Sequence, residues 1–258
     1  MQKEFSRTEQ LLGKKAMETL AQSYVAVFGI GGVGAYAVEG LARCGVGRFM
    51  LVDNDHICLT NINRQIHASS LTVGQPKVTV MRERILSINP LAEVRVSQSF
   101  YLPEQTSALV SPEYHYLIDA VDTISAKIGL AVQAKDLSIP MISSMGVGNK
   151  IDPSRLTIGD IYSTSVCPLA KVMRRELRKR GIESLKVVYS TEIPTKPGET
   201  SDTGAGESCP YANVCPESCT GNNNGQRKQV PGSVSFVPSI AGLMIAGEVV
   251  KDLISGAY

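Results

Sequence analysis

The chain has 258 residues, a formal net charge of +2 and 43% hydrophobic residues. This length suits one large α/β domain spanning residues 1–258 and is too short for two full domains. The near-neutral charge neither requires nor excludes a nucleic-acid partner, so any basic surface must be local. The polar N-terminus lacks the apolar core of a secretory signal, and the longest apolar run, Val237–Gly247, is shorter than the ~20 residues that span a bilayer. We therefore expect a cytoplasmic protein with no membrane partner.

The chain begins with a predicted helix over Arg7–Ala21. Its apolar residues recur at helical spacing and form one stripe, which comprises Leu11, Leu12, Ala16 and Leu20. This helix should pack before the first strand.

A glycine-rich turn follows the first predicted strand. The strand, Ser23–Phe28, is short, apolar and β-branched, which is typical of a buried parallel strand. Gly29, Gly31 and Gly34 fit the pattern G-x-G-x-x-G, with Gly32 between them, and a helix is predicted from Val33 to Cys44. The three glycines would serve the tight turn, the close approach of a phosphate and helix–strand packing. A phosphate would lie at the helix N-terminus, where free N–H groups favour an anion.

The second predicted strand, Arg48–Asp53, ends in an acid about 20 residues after the glycines, the spacing of a ribose-binding carboxylate. Polar and cationic side chains follow at Asp55, Asn61, Asn63, Arg64, Gln65 and Lys77. A dinucleotide is served mainly by backbone N–H groups, whereas a triphosphate under attack benefits from fixed guanidinium and ammonium groups. The arrangement therefore favours ATP over a dinucleotide.

Further strands and helices alternate along the rest of the first half. A helix is predicted over Pro76–Ile88 and another over Ile124–Leu137, and strands are predicted over Glu93–Gln98, Tyr116–Asp119 and Ile139–Ser143. This alternation predicts a doubly wound, mostly parallel α/β sheet of Rossmann-like type. Ligands bind outside the carboxyl ends of such strands, where Asp53, Asp119 and Asp122 all fall.

The glycine motif, Asp53-x-Asp55, Asn61-x-Asn-Arg-Gln65, Lys77 and Asp119-x-x-Asp122 together resemble the ubiquitin-activating and ThiF/MoeB/HesA superfamily. Within it, the chain is most similar to the tRNA threonylcarbamoyladenosine dehydratases. The likeness runs from Phe5 to about Gly148 and returns over Val230–Leu253. It implies a ThiF-type fold and a homodimeric, ligase-type enzyme that uses ATP to activate the threonine carboxylate of a tRNA nucleoside, whose carbamoyl group then closes a ring.

The resemblance also implies roles for individual residues. Arg64 and Lys77 would neutralise the phosphates and Asp53 would hold the ribose. Asp122 would bind magnesium, because an acid beside a triphosphate can hold this ion with water and phosphate oxygens. For Asp119, bracing of the turn is favoured over contact with the ligand. Arg7 is expected either to enter the ATP site of the neighbouring subunit or to be a solvated arginine. His67 is either near the nucleotide or a structural histidine.

Beyond Gly148 the sequence predicts a C-terminal extension of antiparallel strands and helices. Strands are predicted over Leu156–Ile161 and Leu185–Tyr189, with a helix over Leu169–Arg180 between them and an apolar helix over Pro238–Ile254. Six basic residues and one acid lie between Lys171 and Arg180. This imbalance favours contact with a tRNA phosphate backbone over an ordinary solvated helix face.

Residues 193–231 are rich in Pro, Gly, Ser, Thr and Asn, which predicts a loop or lid. It contains Cys209, Cys215 and Cys219, and Cys167 is the natural fourth ligand if the cluster binds zinc or an iron–sulfur centre. A redox pair and free thiols remain alternatives, since the spacing is not the paired C-x-x-C of a zinc ribbon.

Two other functions compete with the dehydratase. An adenylating activator of a ubiquitin-like sulfur-carrier protein often carries two C-x-x-C pairs, which this chain lacks. A nicotinamide-dependent oxidoreductase would not need the cations that follow Asp53. The sequence also leaves open a sulfur-transfer protein as a partner.

Overall fold

The computed structural model describes residues 3–102, 107–195 and 231–255. Its centre is a seven-stranded sheet with the strand order β3-β2-β1-β4-β5-β7-β6. The strands are β1 (Tyr24–Phe28), β2 (Arg48–Val52), β3 (Glu93–Ser97), β4 (Tyr116–Asp119), β5 (Met141–Ser144), β6 (Leu156–Asp160) and β7 (Lys186–Ser190). All neighbouring strands are parallel except the edge strand β6, which is antiparallel to β7.

The helices cover both faces of this sheet. They are α1 (Ser6–Leu12), α2 (Lys14–Gln22), α3 (Gly34–Arg43), α4 (Lys77–Ile88), α5 (Ile124–Asp136), α6 (Pro168–Arg178) and α7 (Phe236–Ile254). Alternate residues of β1 face opposite sides: Val25 and Val27 join one core, and Ala26 and Phe28 join the other. The first core includes residues of α2, α3, α4 and α7, and the second includes residues of α5 and α6. The predicted doubly wound architecture is confirmed.

Two details differ from the sequence prediction. The N-terminal helix is interrupted at Gly13, which has φ 82° and ψ 162°, so α1 and α2 are separate. Strand β7 is parallel to β5 and extends the main sheet, so only β6 is antiparallel. The local pattern predicts a strand but does not determine its neighbour, because pairing depends on contacts far apart in sequence.

The C-terminal helix packs beside α3 in the same direction. A Cβ added at Gly32 would lie 3.2 Å from Pro238, one at Gly242 would lie 2.3 Å from the carbonyl oxygen of Val33, and one at Gly40 would lie 2.7 Å from Ala246. The small residues therefore let the two helix backbones approach closely. Both helix N-termini consequently lie beside the glycine turn.

The predicted loop or lid over residues 193–231 lies almost entirely outside the described residues. Within the described ranges, no helix has the length and apolar character needed to cross a membrane.

Candidate nucleotide site

The glycine turn lies at the switch point of the sheet, where the chain moves from β1 to neighbours on either side. Gly29 has φ +89°, and a Cβ there would lie 2.6 Å from the Ala120 backbone. A Cβ on Gly34 would lie 1.8 Å from the Gly29 carbonyl oxygen, whereas one on Gly31 would meet nothing within 4 Å. Gly29 and Gly34 thus permit the turn and its packing. Gly31 presents bare backbone to open space, where a phosphate could approach.

Asp53 holds this turn in place. Its carboxylate accepts hydrogen bonds from the backbone N–H of Ile30 at 2.6 Å and of Asp55 at 2.8 Å. Burial raises the pKa of Asp53, and the nearby Lys77 ammonium opposes that rise. Asp53 therefore connects the end of β2 to the glycine turn, a contact that sequence reasoning missed. Its contact with ribose remains a prediction.

Lys77 is the first residue of α4 and pairs with Asp55. The two side chains are 2.6 Å apart, and the Lys77 backbone N–H also donates to the Asp55 carbonyl oxygen at 3.0 Å. The lysine side chain is buried, whereas that of Asp55 is 45% exposed. The pair thus holds a buried ammonium at a helix N-terminus, close to Asp53.

The segment after β2 brings a guanidinium to the same edge. A Cβ on Gly32 would lie 3.5 Å from Cγ of Arg64, so the arginine stem borders the glycine turn. Arg64 donates to the Thr60 carbonyl oxygen at 2.8 Å and to Oδ1 of Asn63 at 2.9 Å. Asn63 in turn donates to the Ser233 carbonyl oxygen at 3.0 Å. The segment therefore connects the glycine turn to the residues just before α7.

Asn61 and Gln65 are both buried. Oδ1 of Asn61 accepts the backbone N–H of Cys58 at 3.1 Å, which makes Asn61 a brace for the segment. Among the described residues, Oε1 of Gln65 and both ring nitrogens of His67 are buried without a hydrogen-bond partner. Burial lowers the pKa of His67 to about 3, with further lowering from Lys77 and Arg84, so the imidazole is neutral. Unpartnered buried polar atoms are costly, so these groups are exceptions among the buried polar side chains of the described residues.

Asp119 and Asp122 have different environments. Asp119 is fully buried and accepts from Lys127 at 3.0 Å, from Ser143 at 2.5 Å and from the backbone N–H of Val121 at 3.1 Å. It therefore braces the turn after β4, as expected. Asp122 is exposed, and its carboxylate accepts only a long 3.3 Å contact from Thr123 among the described residues.

Lys127 is a second residue that the sequence reasoning missed. It is buried on α5 and bonds both Asp119 and the Ser144 carbonyl oxygen, the latter at 2.7 Å. A lysine on the same helical face as Leu130 and Ala134 was the available signal, because a cation on a buried face needs a partner.

The remaining predicted site residues are not brought together. Arg7 is exposed on α1. Cys167 is buried directly before α6, and Cys209, Cys215 and Cys219 lie outside the described residues. In the described ranges no group of three or more His, Cys, Asp or Glu side chains could hold a metal. The cysteine centre therefore stays a prediction, to be checked by metal analysis of the purified wild type and of Cys215→Ser.

The basic residues of α6 are largely engaged within the protein. Arg174 donates to the Thr164 carbonyl and hydroxyl oxygens, and Arg178 lies over the Tyr162 ring at 4.9 Å. Three further cations pair with Glu176, namely Arg175, Lys179 and Arg180. The helix still carries excess positive charge, but Arg174 and Arg178 also support local structure.

The assembled edge can bind a polyphosphate. It combines bare glycine backbone, two helix N-termini, the Lys77 ammonium and the Arg64 guanidinium. Asp122 follows β4, the strand beside β1. Its exposed carboxylate fits a magnesium ion whose other ligands would be water and phosphate oxygens.

Comparison with known proteins gives relatives that match this chain over most of their length. The ThiF family profile matches residues 5–257. A tRNA threonylcarbamoyladenosine dehydratase of Bacillus subtilis (strain 168) is 46% identical over 255 residues, which cover 97% of this chain and 94% of the relative. The enzyme of that name from Escherichia coli (strain K12) is 38% identical over 201 residues, covering 75% of each chain. The crystal structure of the E. coli tRNA N6-threonylcarbamoyladenosine dehydratase in complex with ATP superposes with a TM-score of 0.82 at 32% identity, covering 98% of this chain and 94% of that one. The chain that carries this glycine turn and its surrounding cations therefore belongs to the ThiF family.

Proposed function

We propose that this protein is an ATP-dependent tRNA threonylcarbamoyladenosine dehydratase, which cyclises N6-threonylcarbamoyladenosine in tRNA with loss of water. One observation carries the proposal: the 46% identity to a dehydratase extends over nearly the whole chain. The Arg64 and Lys77 cations beside the glycine turn give that identity a chemical basis. A tRNA substrate supports a cytoplasmic location for the enzyme.

The chemistry needs a good leaving group on the substrate carboxylate. A carboxylate oxygen attacks a phosphorus atom of ATP and displaces either pyrophosphate, which gives an acyl-adenylate, or ADP, which gives an acyl-phosphate. The carbamoyl group of the same nucleoside then attacks the activated carbonyl carbon and loses a proton. The ring closes as the phosphate group departs with the oxygen that the carboxylate has lost. Because the nucleophile belongs to the substrate, the protein contributes positioning and charge stabilisation and needs no catalytic cysteine.

Each site residue has a place in this scheme. The glycine turn, with Gly31 at its open side, receives the phosphates, and Arg64 and Lys77 stabilise the charge that develops on them. Asp53 keeps the turn in shape and lies where the ribose is expected. Asp55 orients the Lys77 ammonium. Asp122 would hold magnesium, which neutralises phosphate charge when bound.

The proposed assembly is a homodimer in which Arg7 reaches the nucleotide of the other subunit. The exposure of Arg7 supports this role, because an exposed guanidinium is available to a second chain. The basic segment formed by α6 and the two residues after it is the proposed contact for the tRNA backbone, since five cations between Lys171 and Arg180 are exposed.

The test is turnover of a tRNA that carries threonylcarbamoyladenosine. With ATP and magnesium, the wild type should convert the nucleoside to a product lighter by one water molecule, detected by mass spectrometry after digestion of the tRNA. Parallel reactions contain unmodified tRNA or a ubiquitin-like carrier protein that ends in diglycine. Consumption of ATP with the carrier protein and not with the modified tRNA would refute the dehydratase and support the adenylating alternative.

A further inference from the structure

Three lysines are buried in the described part of the chain, and one of them lacks an acidic partner. Lys77 pairs with Asp55 and Lys127 with Asp119. Lys150 is only 3% exposed, yet no described carboxylate lies within 4.0 Å of its ammonium. Its hydrogen bond to the Ser190 carbonyl oxygen is 3.5 Å long, at the limit for such a contact. A buried ammonium without a counterion is costly to fold.

The acid that interacts electrostatically with Lys150 is bonded to other groups. Glu192 interacts electrostatically with Lys150, but its carboxylate accepts the backbone N–H of Ile151 at 3.0 Å and that of Asp152 at 3.0 Å. These bonds direct the negative charge toward the loop backbone, so Glu192 does not neutralise Lys150 in an ion pair.

The N-terminus of helix α6 lies near Lys150. Helix α6 has 11 residues, and its N-cap, Cys167, makes no side-chain capping bond. A Cβ on Gly146 would lie 3.8 Å from Sγ of Cys167, and Cys167, like Glu192, opposes the lowering of the Lys150 pKa that burial causes. Pro168 at the first helical position has no N–H, and the N–H groups that follow it in the first turn have no helical acceptor. The helix dipole therefore adds positive potential at this end of α6.

This place adjoins the nucleotide site. Strand β5 is the neighbour of β4, and Ser143 is in register with Asp119. Lys150 lies in the segment after β5, and Asp122 lies in the segment after β4. Both segments therefore leave the sheet at the same edge. Asn149 anchors the Lys150 loop by accepting the Gly232 N–H at 2.6 Å, close to the Ser233 carbonyl oxygen that receives Asn63.

We propose that Lys150 and the N-terminus of α6 bind the substrate carboxylate that ATP activates. The proposal rests on the proposed function and names the recognition site for its acceptor. The carboxylate must lie beside the triphosphate to attack it, and this cationic site is next to the expected position of the phosphates. Binding of the anion would supply the counterion that the described residues do not provide to Lys150.

The binding test uses the nucleoside N6-threonylcarbamoyladenosine and its methyl ester, which removes the negative charge alone. The wild type should bind the acid at least tenfold more tightly than the ester, and Lys150→Met should remove that preference. The affinity of the variant for ATP should equal that of the wild type. Loss of ATP affinity instead would assign the ammonium to a nucleotide phosphate and overturn the proposal.

Thermal unfolding separates ligand recognition from a structural role. Lys150→Met should unfold at the wild-type temperature or higher, because it removes a buried charge that has no acidic partner among the described residues. The matched control Lys127→Met breaks a buried ion pair and should unfold several degrees lower. A similar loss in both variants would make Lys150 structural and refute the proposal.

The two proposals fail in different ways. A wild type that dehydrates modified tRNA, together with a Lys150→Met protein that keeps the preference for the acid, refutes only the carboxylate site. A wild type that neither turns over modified tRNA nor binds either form of the nucleoside refutes the function and this site with it.

Discussion

Arg64 is the cation best suited to test phosphate stabilisation, since it is only partly buried and packs against the glycine turn through its stem. Arg64→Ala should reduce kcat by about 10²–10³, the usual cost of losing one donor to a developing oxyanion. Its unfolding temperature should stay close to that of the wild type. Steady-state turnover of modified tRNA and a thermal melt check the two parts. Wild-type turnover by the variant would remove Arg64 from the mechanism.

His67 should make the stability of the protein depend on pH. Its pKa is about 3 in the folded protein, against 6.5 for an ordinary histidine, so between these values only the unfolded chain binds the proton. Stability is therefore lost as the pH falls below 6.5, by about 2 kcal/mol between pH 7.5 and pH 5. His67→Gln should lose this share of the pH dependence, as measured by urea unfolding at the two pH values. Identical pH slopes for variant and wild type would contradict a buried neutral histidine.

At the scale of single residues, sequence reasoning identified the candidate ligands but not their internal partners. The glycine spacing and the acid after β2 were sufficient to predict a nucleotide turn. The bonds of Asp53 to Ile30 and of Lys127 to Asp119 join residues from separate elements. No local pattern specifies such pairs, because they depend on which strands become neighbours.

Among the elements, helix α7 depends most on close packing. Gly242→Ala would place a methyl group 2.3 Å from the Val33 carbonyl oxygen and force α7 away from α3, at a cost of about 1–3 kcal/mol or more. Gly247→Ala, five residues later in the same helix, meets nothing within 4 Å and should stabilise the protein by about 1 kcal/mol. Denaturant unfolding of both variants tests the pair. Equal effects of the two substitutions would show that contact with α3 does not determine the position of α7.

Helix α6 can be tested for tRNA contact while the contacts of Arg174 with Thr164 and of Arg178 with Tyr162 are kept. Reversing Lys171, Arg175 and Lys179 to Glu spares Arg174 and Arg178, which hold Thr164 and Tyr162. If these cations neutralise phosphates, tRNA affinity should fall and the slope of log K against log salt should become shallower by about 2–3. ATP affinity should not change.

The control for α6 reverses three exposed cations on other helices, Lys14, Lys15 and Arg82. It changes the net charge by the same amount and should leave most of the wild-type salt dependence in place. Equal effects of the two triple variants would indicate a general charge effect and remove α6 from the tRNA interface.

The elements themselves were predicted well where their periodicity was strong. All seven strands were expected close to their observed bounds, since buried β-branched runs and alternating segments are distinctive. The break at Gly13 and the parallel pairing of β7 were not expected. A single glycine is compatible with a helical pattern, and strand direction is set by the packing of the whole sheet.

At the scale of the whole molecule, helix α7 is held at both of its ends. Tyr116 and Lys186, at the start of their strands, bond Asp252 near the end of α7, at 2.6 Å and 2.7 Å. These contacts fasten the far end of α7, while Gly242 sets its approach to α3 near the glycine turn. The site therefore depends on residues from nearly the full length of the chain.

The proposed exchange of Arg7 between subunits gives a mixing experiment. Arg7→Ala and Arg64→Ala should each be nearly inactive as homodimers. In a mixed dimer, one site combines the intact Arg64 of the first chain with the intact Arg7 of the second, and the other site lacks both. Random re-association of equal amounts makes about half of the dimers mixed and should restore about a quarter of the wild-type activity. The two variants are mixed after mild dissociation, and turnover is compared with that of each variant alone. If Arg7 acts within its own chain, every site carries one substitution and mixing restores nothing.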